Sequence, residues 1–225
     1  SACKSALQKT HGRYQQVLVG LSGDDEQLLT ALKSWSQYVT TVEESMESPA
    51  PASREGLHED ARLCQVHRNI LRTQSSVLTT LHENSLSTDA PHKLKQLEGQ
   101  LHELLLRHKR ALINISEKEK SLLQTLTTWD TYRTKVSKLQ AWLLNLEHEK
   151  QSLNLRQVAR KRIEKTVARL QILSDKIKRG QSQVDGVSIL CQELITSCDA
   201  SIHPILKAEL SSLEQRSANL QAAVS

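Results

Sequence analysis

Residues 31–39 read ALKSWSQYV and residues 138–146 read KLQAWLLNL. Leu32, Trp35 and Val39 in the first segment match Leu139, Trp142 and Leu146 in the second, at an offset of 107 residues. Spacings of three and four place each trio on one face of a helix. A second pattern recurs further along: Leu94-x-x-Leu97-x-x-x-Leu101-x-x-Leu104 answers to Leu210-x-x-Leu213-x-x-x-Ser217-x-x-Leu220. That offset is 116, so the middle of the second copy is nine residues longer. Two copies of a helical unit of about 110 residues predict a modular array rather than one enzyme core.

Composition supports the helical reading. The 225 residues include 7 Gly, 4 Pro and no Phe, and aromatics make up 3%. Sheets favour aromatic and β-branched residues, so the expectation is an all-α fold. The expected form is an elongated rod of two tandem three-helix units joined by a continuous shared helix. Their expected extents are residues 1–112 and 113–225, with residues 1–21 read as the tail of a preceding unit's last helix. No run approaches the roughly 18 apolar residues that a membrane span needs, so direct membrane insertion is not expected. No charged segment followed by an apolar stretch marks a secretion signal, and both ends read as cuts from a longer protein. The four cysteines fit a reducing, intracellular compartment. Cys191 and Cys198 lie roughly 10 Å apart along a helix axis, beyond the roughly 7 Å Cα limit for a disulfide. Cys64 and Cys191 fall on apolar stripes and read as small buried hydrophobes.

Along the chain, Leu28, Leu32, Trp35, Val39, Val42 and Met46 predict an amphipathic helix that Pro49 and Pro51 end. A second helix, from about Arg54 to Asn84, carries two seams: Leu57, Ala61, Cys64, Leu71 and Leu78, and Leu63, Val66, Ile70, Val77 and Leu81. Two apolar faces suit a helix packed between two neighbours. Ser87–Pro91 supplies a turn with a cap and a proline near the next helix start. From Pro91 to about Lys150 no further proline occurs and Gly99 is the sole glycine, so one helix of nearly sixty residues is expected. After a polar break near Gln151–Asn154, Ile163, Val167, Leu170, Ile177, Val184 and Cys191 mark another helix, weakened by Gly180 and Gly186. His203-Pro204 opens a last helix bearing Leu206, Leu210, Leu213, Leu220 and Val224.

Three helices per unit, the third running into the next unit's first, resemble the spectrin-repeat family. The match is carried by Trp35 and Trp142, each with Leu three residues before, by the Trp142-Leu143 pair, and by Tyr132 where the family often has Phe. Leu210-x-x-Leu213-x-x-Arg216-x-x-x-Leu220, after His203-Pro204, fits the third-helix pattern. Leu101 and Ser217 stand in place of the usual third-helix Trp, Ser36 breaks the first Trp-Leu pair, and Asp25 occupies a Phe position. The resemblance covers nearly the whole chain and makes Trp35 and Trp142 core anchors. Divergent repeats rich in Ser, Leu and His and lacking the second Trp are most similar to the rods of giant nesprins. Dystrophin-like and plakin rods are the alternatives. The nesprin resemblance implies a spacer and docking segment in a linker between the nuclear envelope and actin and, through adaptors, microtubule motors. It implies a parent at the outer nuclear membrane facing the cytoplasm, and a cytoskeletal or actin-regulatory partner, formins among them.

Catalytic patterns are missing. His58, His82, His102 and His148 each precede Glu, but Arg62, Leu86, Leu106 and Ser152 stand where a helical zinc pair needs a second His. Neither a phosphate-binding glycine loop nor a Gly-x-Ser-x-Gly elbow occurs. No catalytic, metal or cofactor residue is assigned, and no small-molecule substrate is expected. His108 interrupts an apolar stripe and reads as a buried polar residue. Charge is uneven: residues 1–110 balance, and residues 111–225 hold the whole excess of five cations. It concentrates at Arg156, Arg160, Lys161, Arg162, Lys165, Arg169, Lys176, Lys178 and Arg179. Of these, Arg162, Lys165, Arg169, Lys176 and Arg179 share much of one helical face. A solvated helix face is the plain explanation. An acidic protein partner is the functional one, with Arg156, Arg160, Arg162, Lys165, Arg169, Lys176 and Arg179 as the docking face. Nucleic acid or acidic lipid ranks last, since no aromatics are interleaved.

Overall fold

The computed structural model describes residues 25–86, 95–153 and 163–224. The expected tail at residues 1–21, the turn at Ser87–Pro91, and Arg156, Arg160, Lys161 and Arg162 lie outside the described residues. The described chain is all-α. Helix α1 spans Asp25–Glu47, α2 Arg54–Ser85, α3 Glu98–Ser152, α4 Ile163–Ser197 and α5 His203–Ala222, with a 3₁₀ turn at Ala200–Ile202 before α5. These elements divide into two compact units. One holds the described residues up to Ser48 with Arg62–Glu119, and the other holds Pro49–Ala61 with the chain from Lys120 onward. Helix α3 runs 55 residues without a break and covers most of the stretch expected to be one helix.

Local chemistry accounts for the helix ends. At the close of α1, Lys118 Nζ donates to the carbonyls of Ser45, Met46 and Ser48 at 2.7, 3.2 and 3.0 Å. A cation from another helix thus satisfies orphan carbonyls at the negative end of the α1 dipole, which has no basic residue in its own last turn. Helix α2 opens on Ser53, whose Oγ accepts the Gly56 N–H at 3.0 Å. A Cβ on Gly56 would fall 2.7 Å from the Pro51 Cβ, so the tight entry requires glycine. Asp199 Oδ1 accepts the Ser201 N–H at 2.9 Å, and Pro204 stands in the first turn of α5, where its missing N–H costs nothing.

In the first unit the three helices run up, down and up. Arg107 of α3 reaches Ser36 and Glu43 of α1, while Arg68 of α2 meets Glu119 of α3 and His82 meets His102. The core comprises Trp35, Val39, Val42, Cys64, Leu71, Leu78, Leu101, Leu104, Ala111 and Ile115. The second unit repeats that order with the rest of α3, α4 and α5. Lys176 of α4 pairs with Glu149 of α3, Arg216 of α5 with Glu147 of α3, and Tyr132 of α3 with Glu209 of α5. Its core stripe on α3 is Leu122, Leu126, Trp129, Tyr132, Val136, Leu139, Leu143 and Leu146. Ala50 O also accepts the Asp199 N–H at 3.1 Å, which ties the loop before α2 to the turn before α5.

Two expected seams need correction. On α2 the Leu57–Leu78 seam is buried, but of the other only Leu81 is; Leu63, Ile70 and Val77 are half-buried and Val66 is exposed. One face of α2 is therefore sealed, not two. On α4, Ile163 and Val167 are exposed and Leu170 is half-buried, and the buried seam is Leu173, Ile177, Gly180, Val184, Val187, Cys191 and Leu194. Gly180 and Gly186 do not interrupt this helix.

Candidate docking face

The first half of α4 carries an exposed cationic stripe. Lys165, Arg169, Ile172, Lys176 and Arg179 follow one another at spacings of four, three, four and three, so they line a single face. All five are exposed, Ile172 at 56% of its full surface. The stripe is about 21 Å long at roughly 1.5 Å rise per residue. Lys178 is exposed on a neighbouring face, and Asp175 is the acidic residue closest in sequence to the stripe's middle. Lys176 Nζ donates to both carboxylate oxygens of Glu149 at 2.6 and 3.0 Å, with both side chains 46% exposed. Exposed pairs of this kind contribute little and exchange readily with another carboxylate. Of the expected docking residues, Lys165, Arg169, Lys176 and Arg179 are thus brought onto one face, and Arg156, Arg160 and Arg162 precede the described helix.

Sequence reasoning missed Ile172. Its place in the four-three spacing of the cations was the available signal. A large aliphatic residue inside a charged stripe offers an apolar anchor where the cations offer only orientation.

The two indoles expected as anchors occupy different surroundings. Trp35 is 3% exposed and stacks on Tyr38 with ring centroids 5.0 Å apart. Trp142 is half-buried and packs closely against Gly180, where an added Cβ would come within 2.1 Å of the ring. The third indole, Trp129 of α3, is buried.

Buried titratable groups occur in both units, with the histidines in the first. His108 is fully buried, with its ring centroid 5.7 Å from that of Trp35. Burial pushes its pKa below the ordinary histidine value, the Leu71 backbone opposes this, and neighbouring Lys109 adds to it. The Tyr38 hydroxyl meets Nδ1 of His67 at 2.8 Å, and burial lowers the His67 pKa as well. In the second unit Tyr132 donates to Glu209 Oε2 at 2.9 Å, and burial raises the phenol's pKa, with Glu209 adding to the shift. Burial likewise raises the thiols of Cys191 and Cys198.

Among the described residues, no group of three or more His, Cys, Asp or Glu is placed to hold a metal ion. No helix there is long and apolar enough to cross a membrane. An open groove of about 210 Å³ in the first unit, lined by Leu29, Leu32, Leu104 and Arg107 among others, is smaller than the roughly 300–1,000 Å³ of small-molecule pockets.

Fold and surface together define an all-α protein of helical bundles bearing a charged, solvent-facing stripe. The chain is similar to Muscle-specific protein 300 kDa of Drosophila melanogaster, with 29% identity over 194 residues. The matched segment is 86% of this chain and 2% of that protein, which is therefore on the order of ten thousand residues long. No family model matches the chain. No solved structure matches it.

Proposed function

We propose that this chain is a rod segment of a giant cytoskeletal linker, built from two consecutive spectrin-like repeats with expected extents 1–112 and 113–225. Its role is structural rather than catalytic: a spacer that also presents a docking face. The observation that carries this reading is the match itself, which runs through most of the chain yet is a small fraction of a very long relative. Up-down-up helical order in each unit and the sequence resemblance to nesprin rods support it. On this reading the parent lies at the outer nuclear membrane, facing the cytoplasm. It connects the nucleus to actin and, through adaptors, to microtubule motors.

The docking face is the α4 stripe, and its partner is an acidic domain of an actin regulator, formins being the class to test first. Cations at Lys165, Arg169 and Arg179 would orient the encounter, and Ile172 would seat in an apolar pocket of the partner. The test is titration of the intact chain with formin-class regulatory domains at low and high salt. Specific binding that weakens with salt and is lost in Ile172→Asp supports docking. Equal capture of any polyanion makes the stripe a nonspecific electrostatic surface, and absence of binding leaves a passive spacer. The spacer alternative draws on the Lys176–Glu149 pair, which already satisfies part of the charge.

A further inference from the structure

We propose that His108 makes the first unit an acid-labile module, whose bundle opens with proton uptake at this ring while the second unit stays folded. The residue occupies the core stripe of α3 between Leu104 and Ala111, a position that its neighbours Leu101 and Ile115 mark as aliphatic. The ring is 0% exposed, so a charge placed on it would be stripped of water. Among the described residues, the surroundings offer that charge no carboxylate that is not already paired. From α1 come Trp35, whose tilted ring gives only a weak π attraction, and Tyr38, whose hydroxyl is engaged with His67. Further along α1, Glu43 is bound by Arg107. From α2 come the Leu71 backbone, His67, and Arg68, which holds Glu119 of α3 at 2.6 Å. On α3 itself the adjacent charge is Lys109, of the same sign as an imidazolium.

The direction in pH follows. Above the ordinary histidine value of 6.5 both the closed and opened units hold His108 neutral, and its contribution is fully present. Below that value the opened unit binds a proton that the closed one refuses, until the pH reaches the depressed value of the closed state. For one proton the opening equilibrium rises by up to about tenfold per pH unit across this window. His67 is half-buried, and its bond to Tyr38 can reverse direction on protonation, so it is the lesser contributor. Among its described residues, the second unit has no fully buried histidine. Its described histidines, His58, His148 and His203, are exposed or half-buried.

The test is hydrogen exchange by mass spectrometry on the whole 225-residue chain at pH 7.5 and 5.5, corrected for intrinsic exchange. Core amides of α1, of α2 beyond Arg62 and of α3 before Glu119 should open up to roughly tenfold more at the lower pH, with those of α4 and α5 unchanged. His108→Leu, which fits the aliphatic stripe, should remove most of that difference. In the unsubstituted chain, ring resonances of His108 should report the neutral form until opening occurs. Undiminished acid sensitivity in His108→Leu would overturn the proposal. So would a His108 ring that titrates near 6.5 while its neighbours' amides stay protected.

Discussion

The two units bury similar aliphatic stripes and differ in what interrupts them. In the first, the buried polar residues include His108, Gln74 and Glu119; in the second they are the hydroxyls of Thr125 and Ser217. Thr125 Oγ1 donates to the Ser121 carbonyl one turn back at 3.1 Å, so it is satisfied inside its own helix. Tyr132 is sealed too, but its single hydroxyl reaches Glu209. Glu119 is paired with Arg68 of another helix, and His108 is held in the neutral form by burial. A buried carboxylate or imidazole makes a core sensitive to its partners and to pH, whereas a hydroxyl such as that of Thr125 is satisfied within its own helix. With His108 as proposed, the same architecture would yield one acid-sensitive unit and one without that sensitivity.

The largest effect should separate the indoles. Trp35→Ala and Trp129→Ala each remove a buried ring and should destabilise their own unit by about 3–5 kcal/mol. Trp142→Ala should cost less, because its ring is half-buried. Denaturant titration of each variant gives the ranking, and an equal loss at Trp142 would show that its contact with Gly180 outweighs its exposure. Next comes Arg68→Ala, which strands Glu119, 7% exposed, without its counter-ion. A loss of about 2–4 kcal/mol is expected, somewhat under the value for a wholly buried pair because Arg68 keeps some solvent. Arg54→Ala, which removes the exposed pair with Asp130, should leave the second unit's melting point unchanged. If both arginines proved equally dispensable, the contrast between the cores would collapse.

Glycines sharpen the same comparison at a smaller scale. Gly180→Ala drives a methyl group into the Trp142 ring and should cost about 1–3 kcal/mol. Gly99→Ala, where nothing lies within 4 Å of the added Cβ, should stabilise the start of α3 by about 0.5–1 kcal/mol. Thermal melts of the two variants should therefore move in opposite directions.

These residues also show what could be read before the fold was known. Four-three spacing disclosed every described helix and the α2 seam through Leu57, Cys64 and Leu71, because helix period depends only on local geometry. It overread the parallel seam through Val66 and Ile70, since which of two offset stripes gets covered is decided by neighbouring helices. Gly180 looked like a weakness for the same reason. Its cause, the Trp142 ring, lies 38 residues away in sequence. The cations of α4 were legible as a cluster, but their exposure and the presence of Ile172 among them required the buried seam at Leu173 and Ile177 to be placed first.

The smallest effect on stability belongs to that cationic stripe. Lys165→Glu, Arg169→Glu and Arg179→Glu together touch no buried atom, so the second unit should keep its stability to within about 0.5 kcal/mol per site. Helical content should be unchanged by circular dichroism. Charge reversal acts instead on encounter. With an acidic partner, the association rate of the triple variant should fall and lose its dependence on salt, because the screened long-range attraction is what has been removed. Ile172→Ala should do the reverse, leaving the association rate near its original value and accelerating dissociation, since an apolar anchor works only once seated. If both variants changed the same rate constant, cations and isoleucine would not be parts of one docking face. The stripe would then be a solvated helix surface, and Ile172 an ordinary exposed aliphatic residue.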